Sequence, residues 1–252
     1  MTAITEGFET APAISPVRMI RPVTVVSGGP LALAVAAVLA PFAAARHWPD
    51  HLPEGGARRT AWWATAAALA APWAYGLAVR PWLNRWGSTS EERRHRYPGD
   101  GHERPLVSAT RAVTVHAPAR EVWQWLVQIG QDRGGFYSYD WLENLAGCQI
   151  HSADTIRPEL QDLAAGDELT IFPGVSTRIA ELDPHRSLVI ENWGAYIVDP
   201  IDEHSCRLIA RSHKDRTPGG LVYLLTMELP HGVMERKTLL GIKQRAEAAT
   251  RA

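Results

Sequence analysis

Two stretches of this chain carry no charge at all, and they constrain its folding more than any other feature. Between Arg21 and Arg46 lie 24 residues, PVTVVSGGPLALAVAAVLAPFAAA, and between Arg59 and Arg80 another 20, TAWWATAAALAAPWAYGLAV. A helix of about 20 apolar residues crosses roughly 30 Å of hydrocarbon. Trp48, Trp62, Trp63, Trp73, Trp82 and Trp86 gather mostly near the ends of these runs, where interfacial aromatics sit. Two buried core helices are the bland alternative. The polar segment RHWPDHLPEGGARR between the runs favours a membrane hairpin over residues 22–83. The second run is interrupted by Pro72 and is rich in alanine. A secretory signal fits Arg18, Arg21 and the small residues 43–45, but the long leader before the apolar run argues against it.

Arginine placement sets the expected orientation. Arg80, Arg85, Arg93, Arg94 and Arg96 follow the second run, whereas the loop between the runs holds Arg46, Arg58 and Arg59. The positive-inside bias places both chain ends in the cytoplasm, with the globular part at the cytoplasmic membrane. The expected division is a tail over 1–21, the hairpin over 22–83, a polar linker over 84–104 and a globular domain over 105–252. Lys and Arg together number 26 against 27 Asp and Glu, so no basic field exists to attract nucleic acid. Cys148 and Cys206 stand far apart in no CxxC or CxxH pattern, which gives neither a disulfide framework nor a zinc signature.

Beyond the linker the pattern is α+β. Residues 107–116 suit a strand with Val113 and Val115 on one face. Pro118 opens a helix whose apolar stripe is Val122, Leu126 and Ile129, ending at Gly130. The stretch GQDRGGFYSYDWLENLAG over 130–147 combines a Gly134-Gly135 turn with an Asp140-x-x-Glu143 capping pattern, so a short helix is expected from Trp141, with Leu142 and Leu145 packing. Strand-like runs follow at 168–172, 177–182, 187–193, 195–200 and 206–212, separated by turn residues, as in an antiparallel meander. Residues 220–229 are ambiguous between strand and helix, with Pro230 a kink or break. A long final helix turns Leu239, Ile242, Ala246 and Ala249 to one face and Glu235, Arg236, Lys243 and Glu247 elsewhere.

This order of elements, with Ala117-Pro118-x-x-x-Val122-Trp123, the stretches GQDRGGFYSYDWLEN and HSADTIRPELQDLAAGDEL, and the C-terminal Met234-Glu235-Arg236-Lys237 and Gly241-Ile242-Lys243-x-Arg245-Ala246-Glu247, resembles the START-like helix-grip superfamily. More narrowly it is similar to the bacterial SRPBCC group, labelled polyketide cyclase/dehydrase-like. The resemblance covers about 105–250. It implies a curved antiparallel sheet around a long C-terminal helix, with an internal, mostly apolar pocket. It does not imply a reaction, because that superfamily includes carriers, receptors and cyclases.

The residues themselves give several candidate chemistries. His151-x-x-Asp154 offers two metal ligands, but no pair has helical i, i+4 spacing and no cysteine joins them, so no metal is expected. The glycines at 134, 135, 219 and 220 form no phosphate-binding loop, and no cofactor is expected. Acid–base work needs a carboxylate or phenol facing a cavity, for which Asp140, Asp154, Glu191, His213 and Tyr139 are candidates. The favoured reading is a binding protein for a hydrophobic or lipid-like small molecule. Tyr137, Tyr139 and Trp141 suit a pocket lining, Arg133, Arg157 and Arg211 an acidic headgroup, and Asp154 completes the expected ligand-binding set. Replacing Tyr137 and Trp141 by alanine is expected to weaken binding and leave the fold intact. The alternatives are a cyclase- or dehydratase-like enzyme using the same cavity, and an interaction module with a vestigial pocket.

Overall fold

The computed structural model describes residues 74–101 and 105–251, with Arg59 and a few helical residues between 62 and 71. The first uncharged run and seven of the 20 residues of the second therefore lie outside the described residues. Among those described, no helix is long and apolar enough to cross a membrane.

Six antiparallel strands make the sheet: β1 (Val107–Val115), β2 (Glu168–Phe172), β3 (Val175–Asp183), β4 (Ser187–Ile190), β5 (Gly194–Pro200) and β6 (Cys206–Lys214). Their spatial order is β1-β6-β5-β4-β3-β2, so β2 to β6 form the meander and β1 closes onto β6. The run expected to continue through Trp193 stops at Ile190, because Asn192 turns at φ 56. The π-helix Tyr75–Val79 runs into α1 (Arg80–Asn84), α2 (Ser90–Arg94) follows it ahead of the sheet, and α3 (Ala119–Val127) and α4 (Asp140–Leu145) join β1 to β2. After β6 come α5 (Pro218–Thr226) and the 24-residue α6 (Glu228–Arg251). Pro230 neither kinks nor breaks α6. It lies in the first turn, where its missing N–H has no helical acceptor to lose.

The inner face of the sheet, α3 and α6 share one core. Val115, Val122, Leu126, Tyr196, Leu208, Leu239, Ile242 and Ala246 all belong to it, most of them wholly buried. The alternation of β1 and β6 sends Ala112 and Ile209 to the opposite face, where Val189, Ala195 and Ile197 join them beneath Tyr97. Residues 85–100 cover that face, tied down by Glu92–Arg207 at 2.7 Å and Asp100–Arg211 at 2.9 Å. The architecture is α+β with a six-stranded antiparallel sheet and one long C-terminal helix, consistent with a helix grip. Trp123, Trp125, Tyr137 and Tyr196 are among the large side chains packed in this core.

Several local expectations are corrected. Pro118 is the N-cap of α3 and not its first residue. Asp140 begins α4 and does not cap it, since its carboxylate is engaged by Ser152. Leu145 is exposed while Glu143 is buried, so α4 is turned over relative to its apolar pattern. Ala249 is exposed, and Glu235, expected off the buried face of α6, is 4% exposed and paired with Arg111.

Gly241 fixes how α6 meets the rest. A Cβ there would overlap the Tyr137 carbonyl oxygen and sit 2.8 Å from the Tyr137 Cβ. Both obstacles are held by the packed core, so neither can move aside cheaply. Gly241→Ala should destabilise the fold by about 1–3 kcal/mol, read as a lower midpoint in urea with an unchanged slope.

Candidate ligand-binding cleft

The stretch 130–139 is a loop closed on itself. Gly130 and Gly135 exchange backbone hydrogen bonds at 3.0 and 2.9 Å, and Gly134 N–H donates to the Gln128 carbonyl at 2.6 Å. Gly135 has φ +76 and approaches Ser152 so closely that a Cβ would lie 2.9 Å from the Ser152 Cα. That position requires glycine on both counts. Tyr137 also adopts a left-handed backbone, φ 57, which is uncommon for a non-glycine residue. Its backbone N–H donates to Ser152 Oγ at 3.0 Å, and its ring enters the core at 1% exposure.

Ser152 connects three segments. Its N–H and hydroxyl donate to the two oxygens of Asp140 at 2.8 and 2.6 Å, so the start of α4 is bound to the 150–154 loop. Arg245 of α6 completes the joint. Its Nε donates to the Ala153 carbonyl at 2.7 Å and a terminal nitrogen pairs with Asp154 at 3.1 Å. Its guanidinium lies 4.9 Å from the centre of the Tyr137 ring, a cation–π distance.

Between α4, this loop and α6 opens a cleft of about 700 Å³. Trp125, Tyr137, Tyr139 and Trp141 supply its aromatic surface, and Lys237, Gln244 and Arg245 its helical wall. Trp125 and Tyr137 meet edge to face at 6.0 Å in the floor. Trp141 is 68% exposed at the rim. Lys237 Nζ lies 6.0 Å from the Tyr139 ring centre. Both cations are thus held beside aromatic faces at one opening.

Tyr137, Tyr139, Trp141 and Asp154 of the sequence-derived set come together here. Three arginines of that set lie elsewhere. Arg133 donates to the carbonyls of Val127 and Leu160 at 3.0 and 2.8 Å, and burial lowers its pKa. Arg157 has its N–H on Gln128 Oε1 at 3.0 Å. Arg211 is on the outer sheet face, held by Asp100 and by Thr110 Oγ1 at 2.8 Å. Tyr137 is a core residue as well as part of the cleft, so its replacement by alanine would disturb the fold, contrary to the expectation for the double substitution. Sequence reasoning missed Lys237, Gln244 and Arg245 as cleft residues. They recur at i, i+7 and i+8 on a face of α6 distinct from Leu239, Ile242 and Ala246, a second period that the apolar stripe obscured.

Of the acid–base candidates, Asp140 is occupied by Ser152 and the Asp154 side chain is 89% exposed. Glu191 is exposed in the β4–β5 turn, and His213 lies 3.2 Å from Asp100, far from the cleft in sequence and sheet position. The carboxylate with a strongly altered proton affinity is Glu143, which is 2% exposed with no hydrogen-bond partner for either oxygen. Burial, reinforced by the Asp140 charge, pushes it up to about 7. It is on the buried side of α4 and not among the cleft's lining residues. Among the described residues no three His, Cys, Asp or Glu side chains assemble as a metal centre.

No protein-family model matches the chain, and no curated protein matches it. Solved structures similar to it include a protein of Thermobifida fusca determined by NMR, at 18% identity, covering 56% of this chain and 93% of that one, with a TM-score of 0.37. Another is the Zhui aromatase/cyclase of Streptomyces sp. R1128, at 16% identity over 58% of this chain and 96% of that one, TM-score 0.32. A third is a protein of Thermus thermophilus, at 15% identity over 57% and 99%, TM-score 0.32.

Proposed function

We propose that the cleft binds an amphipathic organic anion: a ring or alkyl body laid on Trp125, Tyr137, Tyr139 and Trp141, and an acidic group directed to Lys237 and Arg245. The observation that carries this reading is the meeting of four aromatic rings and two cations at one cleft of about 700 Å³. That volume falls in the range of small-molecule sites, roughly 300–1,000 Å³. Arg245 and Lys237 are already oriented by ring contacts, so little side-chain freedom is lost when an anion arrives. The uncharged runs support the second part of the reading, a tether through residues 22–83 that holds the domain at the cytoplasmic face of the membrane, where such molecules partition.

Binding is favoured over catalysis by the state of the cleft's own carboxylates. Asp140 has its oxygens bonded to Ser152, and Asp154 is in solvent beside Arg245. Neither carboxylate stands unpartnered in the cleft, free to exchange a proton with a bound molecule.

The test is calorimetric titration with a panel of aromatic and alkyl carboxylates, each paired with its methyl ester. An acid should bind at least about tenfold more tightly than its ester, the value of one charge-assisted hydrogen bond. Lys237→Ala should remove most of that preference, whereas Trp141→Ala should weaken acid and ester alike. Equal affinity of acid and ester for the wild-type protein would refute the anion site.

A further inference from the structure

We infer that the exposed apolar face running from α5 into α6 docks on the surface of a lipid bilayer, beside the point where the uncharged run 60–79 enters the domain. The inference rests on the membrane tether proposed above and extends it to a second, separate contact.

Residues 217–227, TPGGLVYLLTM, contain no charge. Thr217 caps α5 by accepting from the Gly220 N–H at 3.0 Å, so this apolar segment is a helix. Its inner side is anchored. The Tyr223 hydroxyl meets His231 Nδ1 at 2.5 Å, and Lys214 Nζ lies 5.2 Å from the Tyr223 ring centre. Its outer side is bare: Leu221, Val222 and Leu225 are 50%, 56% and 64% exposed, and Leu229 and Val233 extend the face onto α6 at 38% and 40%. A contiguous row of large aliphatic side chains of this kind marks a partner surface rather than ordinary surface scatter.

The path of the chain identifies the partner. The uncharged run ends in the π-helix Tyr75–Val79, which continues directly into α1, and both Tyr75 and Arg80 are bonded to Glu228, at 3.3 and 2.8 Å. Asn84 Nδ2 holds the other oxygen of Glu228 at 2.8 Å. Glu228 is the first residue of α6, three residues after Leu225 and immediately before Leu229. The run is therefore fixed to the α5–α6 junction. A segment leaving the bilayer at Val79 brings that junction to the headgroup layer, where an aliphatic face can insert and the exposed Arg85 can meet anionic lipid. Trp82, 58% exposed on α1, lies on the same approach as an interfacial aromatic.

The test uses the full-length protein in vesicles of phosphatidylcholine and phosphatidylglycerol. Cys148 and Cys206 are buried, so an environment-sensitive fluorophore can be attached to introduced cysteines in the folded protein. Leu225→Cys probes the docking face and Trp63→Cys the uncharged run. Glu203→Cys, exposed in the turn at the far end of β6, is the aqueous control. Docking predicts that nitroxide-bearing lipid quenches the label at 225 and blue-shifts its emission, with no quenching at 203. Quenching at 63 without quenching at 225 overturns the docking face and leaves the tether standing. Quenching at neither position overturns both. Self-quenching at 225 that is independent of nitroxide lipid assigns the face to a second copy of the chain and overturns the lipid assignment.

Discussion

Arg111→Met should cost the fold about 3–5 kcal/mol, the loss expected when one member of a buried ion pair is removed. Arg111 is 1% exposed, and its side chain has four tasks: it donates to the Leu83 carbonyl at 2.9 Å and to Asn84 Oδ1 at 2.8 Å, pairs with Glu235, and packs under Gly232. Methionine fills much of the space but supplies no donor, so the Glu235 carboxylate is left uncompensated beside a neutral His231. In the wild type burial depresses His231 to about 4, with the Arg111 charge lowering it further, so no second cation is in place on that side of Glu235. The deficit should appear as a Tm lower by roughly 10 °C. Arg111→Met with Glu235→Leu should recover much of the loss, since an apolar replacement of a whole buried pair is often close to neutral. A double variant as unstable as the single one would place the effect in packing and not in charge.

The same network shows what the sequence could and could not convey. The sheet was legible because its strands alternate and are bounded by Gly, Pro and Asp turns; β2 runs over 168–172, as its pattern predicts. The core face of α6 was legible for the same reason, through Leu239, Ile242 and Ala246. Glu235 was not, because periodicity assigns a charged residue to solvent. Its burial depends on Arg111, 124 positions away in β1, which shares the inner face with Val113 and Val115. Charge pairs of this kind exist only once the register is set.

The cleft was legible in part for a comparable reason. Tyr137, Tyr139, Trp141 and Asp154 stand close in sequence, so local composition marked them. Their cationic partners Lys237 and Arg245 come from a helix about 100 residues later, and arginines nearer in sequence offered the same charge. Arg133 and Arg157 instead serve backbone carbonyls or the loop frame, which a buried loop needs because its polar groups have lost water.

Glu143→Gln should have the opposite sign to Arg111→Met and should make the protein more stable, by up to about 3 kcal/mol above neutral pH. The wild-type carboxyl is raised from its ordinary value of 4.5 to about 7 by burial, then by the Asp140 charge. A carboxyl raised in the folded state stabilises that state only while protonated. Below about 4.5 both folded and unfolded forms hold the proton, and Glu143 contributes no slope. Between 4.5 and about 7 the folded state alone keeps it, so stability falls as pH rises; above 7 the full cost is present. Ser138 gives little relief, because its hydroxyl donates to the Met234 carbonyl at 3.2 Å. Urea midpoints for wild type and Glu143→Gln should therefore coincide near pH 4 and separate through pH 7, and parallel curves would show that Glu143 is solvated in the folded protein. Because Glu143 is on the buried side of the same helix that carries Asp140 and Trp141, the strain falls on one wall of the cleft. The protection of the α4 amides, taken relative to their intrinsic exchange rate at each pH, should fall above pH 7 in the wild type and not in the variant, which ties the fit of the cleft to the protonation of a group outside it.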